Sequence, residues 1–423
     1  MTDRPVVDRA AVEAAVADAH RCEWARVLAA TARVARDLDL AEECVQEAYA
    51  AALQSWIQAG IPANPAAWLT TAAKRRAIDA IRRDTTLRSK LPLLVRPEDE
   101  VVMDDMTEEP GEAIPDERLR LIFTCCHPAL AQDGQVALTL RLLCGISTAD
   151  IARAFLVSEP AMAARITRAK RKISVARIPY RVPRPAELPD RLRAVLSVIH
   201  LLFTAGHTAP SGASLVRADL VDRALHLARM LRELMPDDPE VRGLYALLLV
   251  TDARRATRTD AYGRLLQLAD QDRSRWDRAM LAEAHDLIVA GLRAGPPGRY
   301  VLQAAIASLY AEAPCYDQTD WAQIVALYDV LLGVWPSPVV ALNRTVPLAM
   351  VSGPQSALAE VERLEADGRL AGYHYLPAIK ADLLSRLGRG SEAAECYRQA
   401  FGLAANEAER AFLAGQIAEL ATP

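Results

Sequence analysis

The chain is expected to fold entirely from α-helices. Ala and Leu dominate a sequence that is 52% hydrophobic but only 5% aromatic, a composition that favours helix over sheet. Apolar residues recur at 3.6-residue spacing along most of the chain, and the C-terminal half shows no alternating strand pattern. Helix punctuation recurs as well, with Asn or Ser before a periodic stretch, Pro in its first turn and Gly after its end. A length of 423 residues suits about three domains with ample cores.

Charge and cysteine usage narrow the class. The net charge of −4 and pI near 6.1 exclude a uniformly basic nucleic-acid binder, so any such role needs segregated charge. There is no secretory pattern at the start and no apolar run of about 18 residues. A soluble, cytoplasmic protein without membrane contact is the expectation. The seven cysteines follow no regular framework, which fits reduced thiols.

The elements follow in order. A polar start runs into a helix at Asp8 or Arg9, and Cys22 to Asp37 reads as a second helical stretch whose core face is Trp24, Val27, Leu28, Thr31 and Val34. Asp39 to Trp56 reads as a third helix, with Leu40, Cys44, Ala48 and Ala51 or Ala52 inward. Its Glu42, Glu43, Gln46 and Glu47 are expected to face out. Gly60 to Pro65 is a loop. The helix from Ala66 to Arg83 takes Asn64 as its cap and Pro65 in its first turn. Leu69, Ala73, Ala77, Ala80 and Ile81 share one side. Another side carries Trp68, Arg75, Asp79 and Arg82, flanked by Lys74, Arg76 and Arg83. An aromatic ring beside a row of guanidinium groups suits a single-stranded nucleic acid, with bases stacked on the ring and phosphates on the cations. A solvated basic helix with its Trp in the core has the same pattern.

From Asp84 to Asp116 the periodicity dissolves among prolines and acids, which reads as a linker at 86–115. Two helices, DERLRLIFTCCHPAL and GQVALTLRLLCG, come next, and Gly145 ends the second. Ser147 caps a helix from Thr148 to Phe155. Ser158 caps another, with Glu159 and Pro160 in its first turn. Helix, tight turn, helix is the helix-turn-helix arrangement. In the second helix Met162, Ile166, Ala169 and Ile173 form an apolar stripe. Ala164, Arg168 and Arg171 point the opposite way, with Arg165 and Lys172 beside them, a face suited to the major groove.

Cys125, Cys126, His127 and Cys144 could suggest a metal site, but adjacent cysteines on a helix diverge by about 100° and no C-x-x-C is present. They read as core, with no metal and no cofactor. No phosphate-binding loop and no nucleophile, base and orienter can be assembled, so no enzyme is expected. After a Pro-rich boundary at Pro179 to Pro189, residues 190–420 read as helix after helix. LVDRALHLARMLRELMPDDPEVRGLYALLLVTDARRA is a hairpin broken at Pro236. Ala381, Leu384, Gly388, Ala393, Tyr397 and Ala400 match the small and aromatic positions of a tetratricopeptide repeat. Such repeats build a concave face for a peptide or protein. Ile199 to Gly212 and Asp270 to Arg278 stand out as ligand or interface candidates, with mutual i,i+4 salt bridges and helix-end chemistry explaining the second nearly as well.

DLAEECVQEAYAAALQSW resembles the region of bacterial sigma factors that grips core RNA polymerase. NPAAWLTTAAKRRAIDAIRR resembles their promoter-melting helix, and ISTADIARAFLVSEPAMAARITRAKRKI resembles the region that reads the −35 element. The match is to the extracytoplasmic-function group, in a subgroup with a long helical, tetratricopeptide-like extension. The resemblance implies a region 2-like domain at 1–85, the linker at 86–115, a region 4-like domain at 116–178 and a regulatory helical domain at 190–423. It implies core-polymerase contacts from Asp39, Glu42, Glu43, Gln46 and Glu47. It also implies −10 contacts from Asn64, Trp68, Lys74, Arg75, Arg76, Asp79, Arg82 and Arg83, and −35 contacts from Ser158, Glu159, Ala164, Arg165, Arg168, Arg171 and Lys172. The implied partners are core polymerase, promoter DNA and a protein partner of the repeats. A helix-turn-helix regulator or a repeat scaffold acting without polymerase are the alternative readings.

Overall fold

The computed structural model describes residues 9–90, 117–155, 157–184, 186–209 and 212–421. Among them there is no strand, only isolated bridges joining Gly212 to Asn406 and Thr259 to Leu265. The acidic linker expected at 86–115 lies outside the described residues from position 91 onward. No described helix is long and apolar enough to cross a membrane. The chain divides into two compact units at Val198 and Ile199.

The first unit opens on α1 (Arg9–Ala35), α2 (Leu38–Ala59) and α3 (Pro65–Lys90), which pack pairwise. Two expectations are corrected here. The stretch read as two helices is one helix of 27 residues, because no Gly or Pro interrupts it and Ala19 is buried in mid-helix. Also, α3 continues past Arg83 to Lys90. Arg36 ends α1 in the left-handed region at φ 54°, and the Asp37 side chain then accepts the Leu40 N–H at 2.8 Å to cap α2.

Next come α4 (Glu117–Cys125), α5 (Gln132–Leu138), α6 (Thr148–Ala154) and α7 (Glu159–Val175). The helix expected to run to Cys144 instead widens after Leu138 into a π turn, Thr139–Leu143, where the Cys144 N–H reaches the Thr139 carbonyl at 3.2 Å. Cys125, Cys126 and Cys144 are buried. Burial pushes the Cys126 thiol up to about 12, partly offset by its contact with the Thr139 hydroxyl.

Helix α8 (Leu188–His207) spans the division between the units. The second unit continues with α9 (Ala218–Leu234), α10 (Pro239–Asp252), α11 (Arg278–Arg293), α12 (Arg299–Glu312), α13 (Trp321–Val334) and α14 (Pro338–Ser352). It closes with α15 (Pro354–Asp367), α16 (Tyr375–Arg386), α17 (Gly390–Leu403) and α18 (Glu407–Ala421). The crossing of α10 and α12 depends on Gly243. A Cβ there would lie 2.5 Å from the Val301 nitrogen and 2.8 Å from the Tyr300 carbonyl carbon. Beside it the Glu240 carboxylate accepts the N–H groups of Tyr300 at 3.0 Å and Val301 at 3.2 Å. It thus caps α12, whose N-cap, Gly298, has no side chain to do so.

Candidate nucleic-acid and protein interface

Helix α3 starts as its sequence dictates, with the Ala67 N–H donated to Asn64 Oδ1 at 3.0 Å. Leu69, Ala73 and Ala77 are fully buried against α1 and α2. That packing leaves Arg75, Asp79, Arg82 and Arg83 exposed and Lys74 half-buried. Trp68 is half-buried, its ring edge-on to Trp56 at 5.6 Å and 73°. One ring surface is therefore spent on the core. Arg76 turns toward α2 and pairs with Glu47 at 3.2 Å.

In α7 the Ser158 hydroxyl accepts the Ala161 N–H at 3.4 Å, and Met162, Ile166, Ala169 and Ile173 are buried as one stripe. Ser158, Glu159, Ala164, Arg168, Arg171 and Lys172 are exposed together on the opposite side. Arg165 is half-buried and 3.5 Å from Asp133. Such a face can enter a duplex groove and neutralise phosphate.

The acidic face of α2 differs from its sequence reading. Glu43, Gln46 and Glu47 are exposed, but Glu42 is buried. Its carboxylate lies 2.5 Å from Arg141 Nη2, in the π turn, and 2.8 Å from Lys170 Nζ, in α7. Lys170 also reaches Asp39 at 2.6 Å, and Gln46 donates to Glu42 at 3.2 Å. Burial pulls the Lys170 ammonium down, but hydrogen bonds to Asp39 and Glu42 outweigh it and leave its pKa above that of free lysine.

Further contacts join α1 to the later half of the unit. The Trp24 indole donates to the Leu142 carbonyl at 3.0 Å, and the Tyr180 hydroxyl donates to the Ala29 carbonyl at 3.1 Å. Arg33 pairs with Glu117 at 2.9 Å. Gly145, at φ 64°, lies so close to α1 that a Cβ would meet His20 Cε1 at 2.9 Å. The sequence did carry a signal for Lys170. It stands four residues after Ile166 and three before Ile173, on the edge of the buried stripe.

The two unusual stretches of the second unit are internal structure. His207 stacks on Phe203 at 5.4 Å, and burial followed by Arg258, Arg254 and Arg255 pushes its pKa down to about 2. Burial and Arg299 push His200 down to about 4. In the charged stretch, Asp277 caps α11, Arg273 donates to the carbonyls of Tyr310 and Ala313 at 2.8 and 2.7 Å, and buried Trp276 donates to the Thr257 hydroxyl at 2.9 Å.

A helix-turn-helix with an open cationic second helix, joined to a three-helix body with its own cationic helix, defines a helical DNA-binding protein. Residues 23–86 match sigma-70 region 2, and residues 120–173 match sigma-70 region 4. Residues 191–291 match a family of unknown function (DUF6596). Over its whole length the chain is similar to Uncharacterized protein R00370 of Rhizobium meliloti (strain 1021), at 42% identity over 427 residues covering 100% of this chain and 97% of that protein. The chain belongs to the sigma-70 family, as a sigma factor of the extracytoplasmic-function type with a C-terminal extension. Its two sigma regions give it a role in transcription initiation and imply interaction with core RNA polymerase and promoter DNA.

Proposed function

We propose that this chain is an alternative sigma factor that binds core polymerase through the acidic face of α2 and directs promoter-specific initiation. On this reading α7 holds duplex −35 DNA through Arg168, Arg171 and Lys172. Helix α3 captures the opened −10 strand through Arg75, Arg82 and the exposed part of Trp68. The observation that carries the reading is the pair of cationic helix faces in one unit, each opposite a buried apolar stripe, within residues that match the two sigma regions. The mechanism is binding and strand capture, with no covalent step.

The second unit is proposed to be a regulatory helical-repeat domain. Ala381, Leu384, Ala393, Tyr397 and Ala400 are buried where α16 and α17 meet their neighbours, and Gly388 turns the hairpin at φ 76°. These are the positions that let paired helices approach in such repeats.

The test replaces Arg75, Arg82, Arg168 and Arg171 together by Ala and measures binding to core polymerase and then to promoter DNA. Retained polymerase affinity with lost promoter binding is the expected result. Unchanged promoter binding would refute the assignment. For the second unit, a chain ending at Val198 keeps the hydrogen bond from Arg191 to the Phe123 carbonyl. A change in transcription on this truncation supports control by residues 199–423, and equal transcription contradicts it.

A further inference from the structure

Glu42 is the most enclosed carboxylate of α2, its side chain 8% exposed, and the groups that enclose it come from the region 4-like half of the unit. Lys170 Nζ lies within hydrogen-bond distance of both Asp39 and Glu42, with its side chain 10% exposed. Arg141 approaches Glu42 from the other side. Lys170 belongs to α7, but it points away from the face formed by Arg168, Arg171 and Lys172. One helix thus spends its basic residues on two sides.

We propose that the Asp39–Glu42 face of α2 has two mutually exclusive occupants. One is the chain's own Arg141 and Lys170, as in this structure. The other is a basic surface of core RNA polymerase. The free chain holds itself closed, and polymerase binding displaces α7 from α2. This rests on the reading above that the acidic face of α2 docks on polymerase.

The electrostatics suit an exchange. A carboxylate that loses its two cations while still buried is left uncompensated, so opening must bring it either water or replacement cations. Substituting one set of cations for another costs little, whereas simple opening costs more. The closed form is therefore favoured when alone and convertible when a basic partner arrives. Contacts beside the network add to the closed form, through the Trp24 hydrogen bond to Leu142 and the seating of Gly145 against His20. Meanwhile Arg168, Arg171 and Lys172 remain exposed, so the closure acts on polymerase docking and leaves the duplex-reading face open.

Apparent affinity for a partner that needs the open form is reduced by the open fraction. Replacing both cations by acids, Lys170→Glu with Arg141→Glu, sets like charges against Glu42 and raises that fraction. The experiment measures binding of the full chain to core polymerase without DNA, with circular dichroism to confirm helix content. The expected result is tightening by about tenfold, on the order set by an open fraction near one tenth. A milder variant, Lys170→Met, keeps the packed stem but removes the charge, and is expected to tighten binding less. Unchanged or weaker binding by Lys170→Met overturns the closure. Glu43→Lys tests the underlying reading separately, because Glu43 is exposed and outside the network. If Glu43→Lys leaves polymerase affinity unchanged, the docking reading fails. If it weakens binding while the Lys170 variants change nothing, only the closure fails.

Discussion

Replacing Gly243 by Ala opposes two effects of known sign. In an exposed helix the change gains about 1 kcal/mol from propensity. At this crossing the new Cβ would stand 2.5 Å from the Val301 nitrogen, a backbone atom. An ordinary contact needs about 3.5 Å, so α10 and α12 must part by about 1 Å. That gap forfeits a quarter to a half of each contact across the seam, and with about 50 such contacts at about 0.15 kcal/mol each the loss is about 2–4 kcal/mol. The net expectation is destabilisation by about 1–3 kcal/mol, in the range of overpacked cores. For a unit of this size, about 2–4 °C of melting temperature is lost per kcal/mol. Calorimetry should therefore show one transition lowered by about 2–12 °C. Gly415, mid-helix in α18 with nothing within 4 Å of its added Cβ, is the control. Gly415→Ala should raise stability by about 0.5–1 kcal/mol. If Gly243→Ala melts at or above the parent, the steric reasoning is wrong.

Three other outcomes are expected. Arg75→Ala should lower the salt slope of single-strand binding by about 0.7, the effect of one phosphate contact. Arg76→Ala should lower it by less than half as much, because that guanidinium already faces Glu47, and equal slopes would refute the difference. The folded pKa values of His207 and His200, about 2 and about 4, lie below the unfolded value, so the folded state binds fewer protons and stability falls as pH drops below about 6.5. Between pH 6.5 and 5 each group costs about 2 kcal/mol, and His207→Asn should remove about half of that dependence in denaturant titrations. Trp24→Phe strands the buried Leu142 carbonyl and should cost about 1–3 kcal/mol in the same assay.

How much of this was legible in the sequence depends on the range of the interaction. The stripe of α7 and its Ser158 cap are local, and 3.6-residue periodicity with Pro160 spells them out. The Asn64 cap of α3 is local too. Glu42 was misread because on its own helix it lies with the acids, and its partner Lys170 is 128 residues further along. Periodicity on one helix cannot show what a distant segment covers. The π turn at Thr139–Leu143 has no Gly or Pro to announce it. The charge-dense Asp270 to Arg278 stretch reads almost equally as an interface or as helix-end chemistry, because sequence alone does not show where its charges point. In the fold they are taken up as helix caps and as donors to carbonyls at the end of α12.

Transcription in vitro tests the central claim most directly. Purified core polymerase and the full chain would be incubated on a promoter library, and the starts sequenced. Defined starts that share −35 and −10 elements, and that vanish when Arg75, Arg82, Arg168 and Arg171 become Ala, are the predicted result. Absence of defined starts, together with no binding of the folded chain to core polymerase, would contradict it.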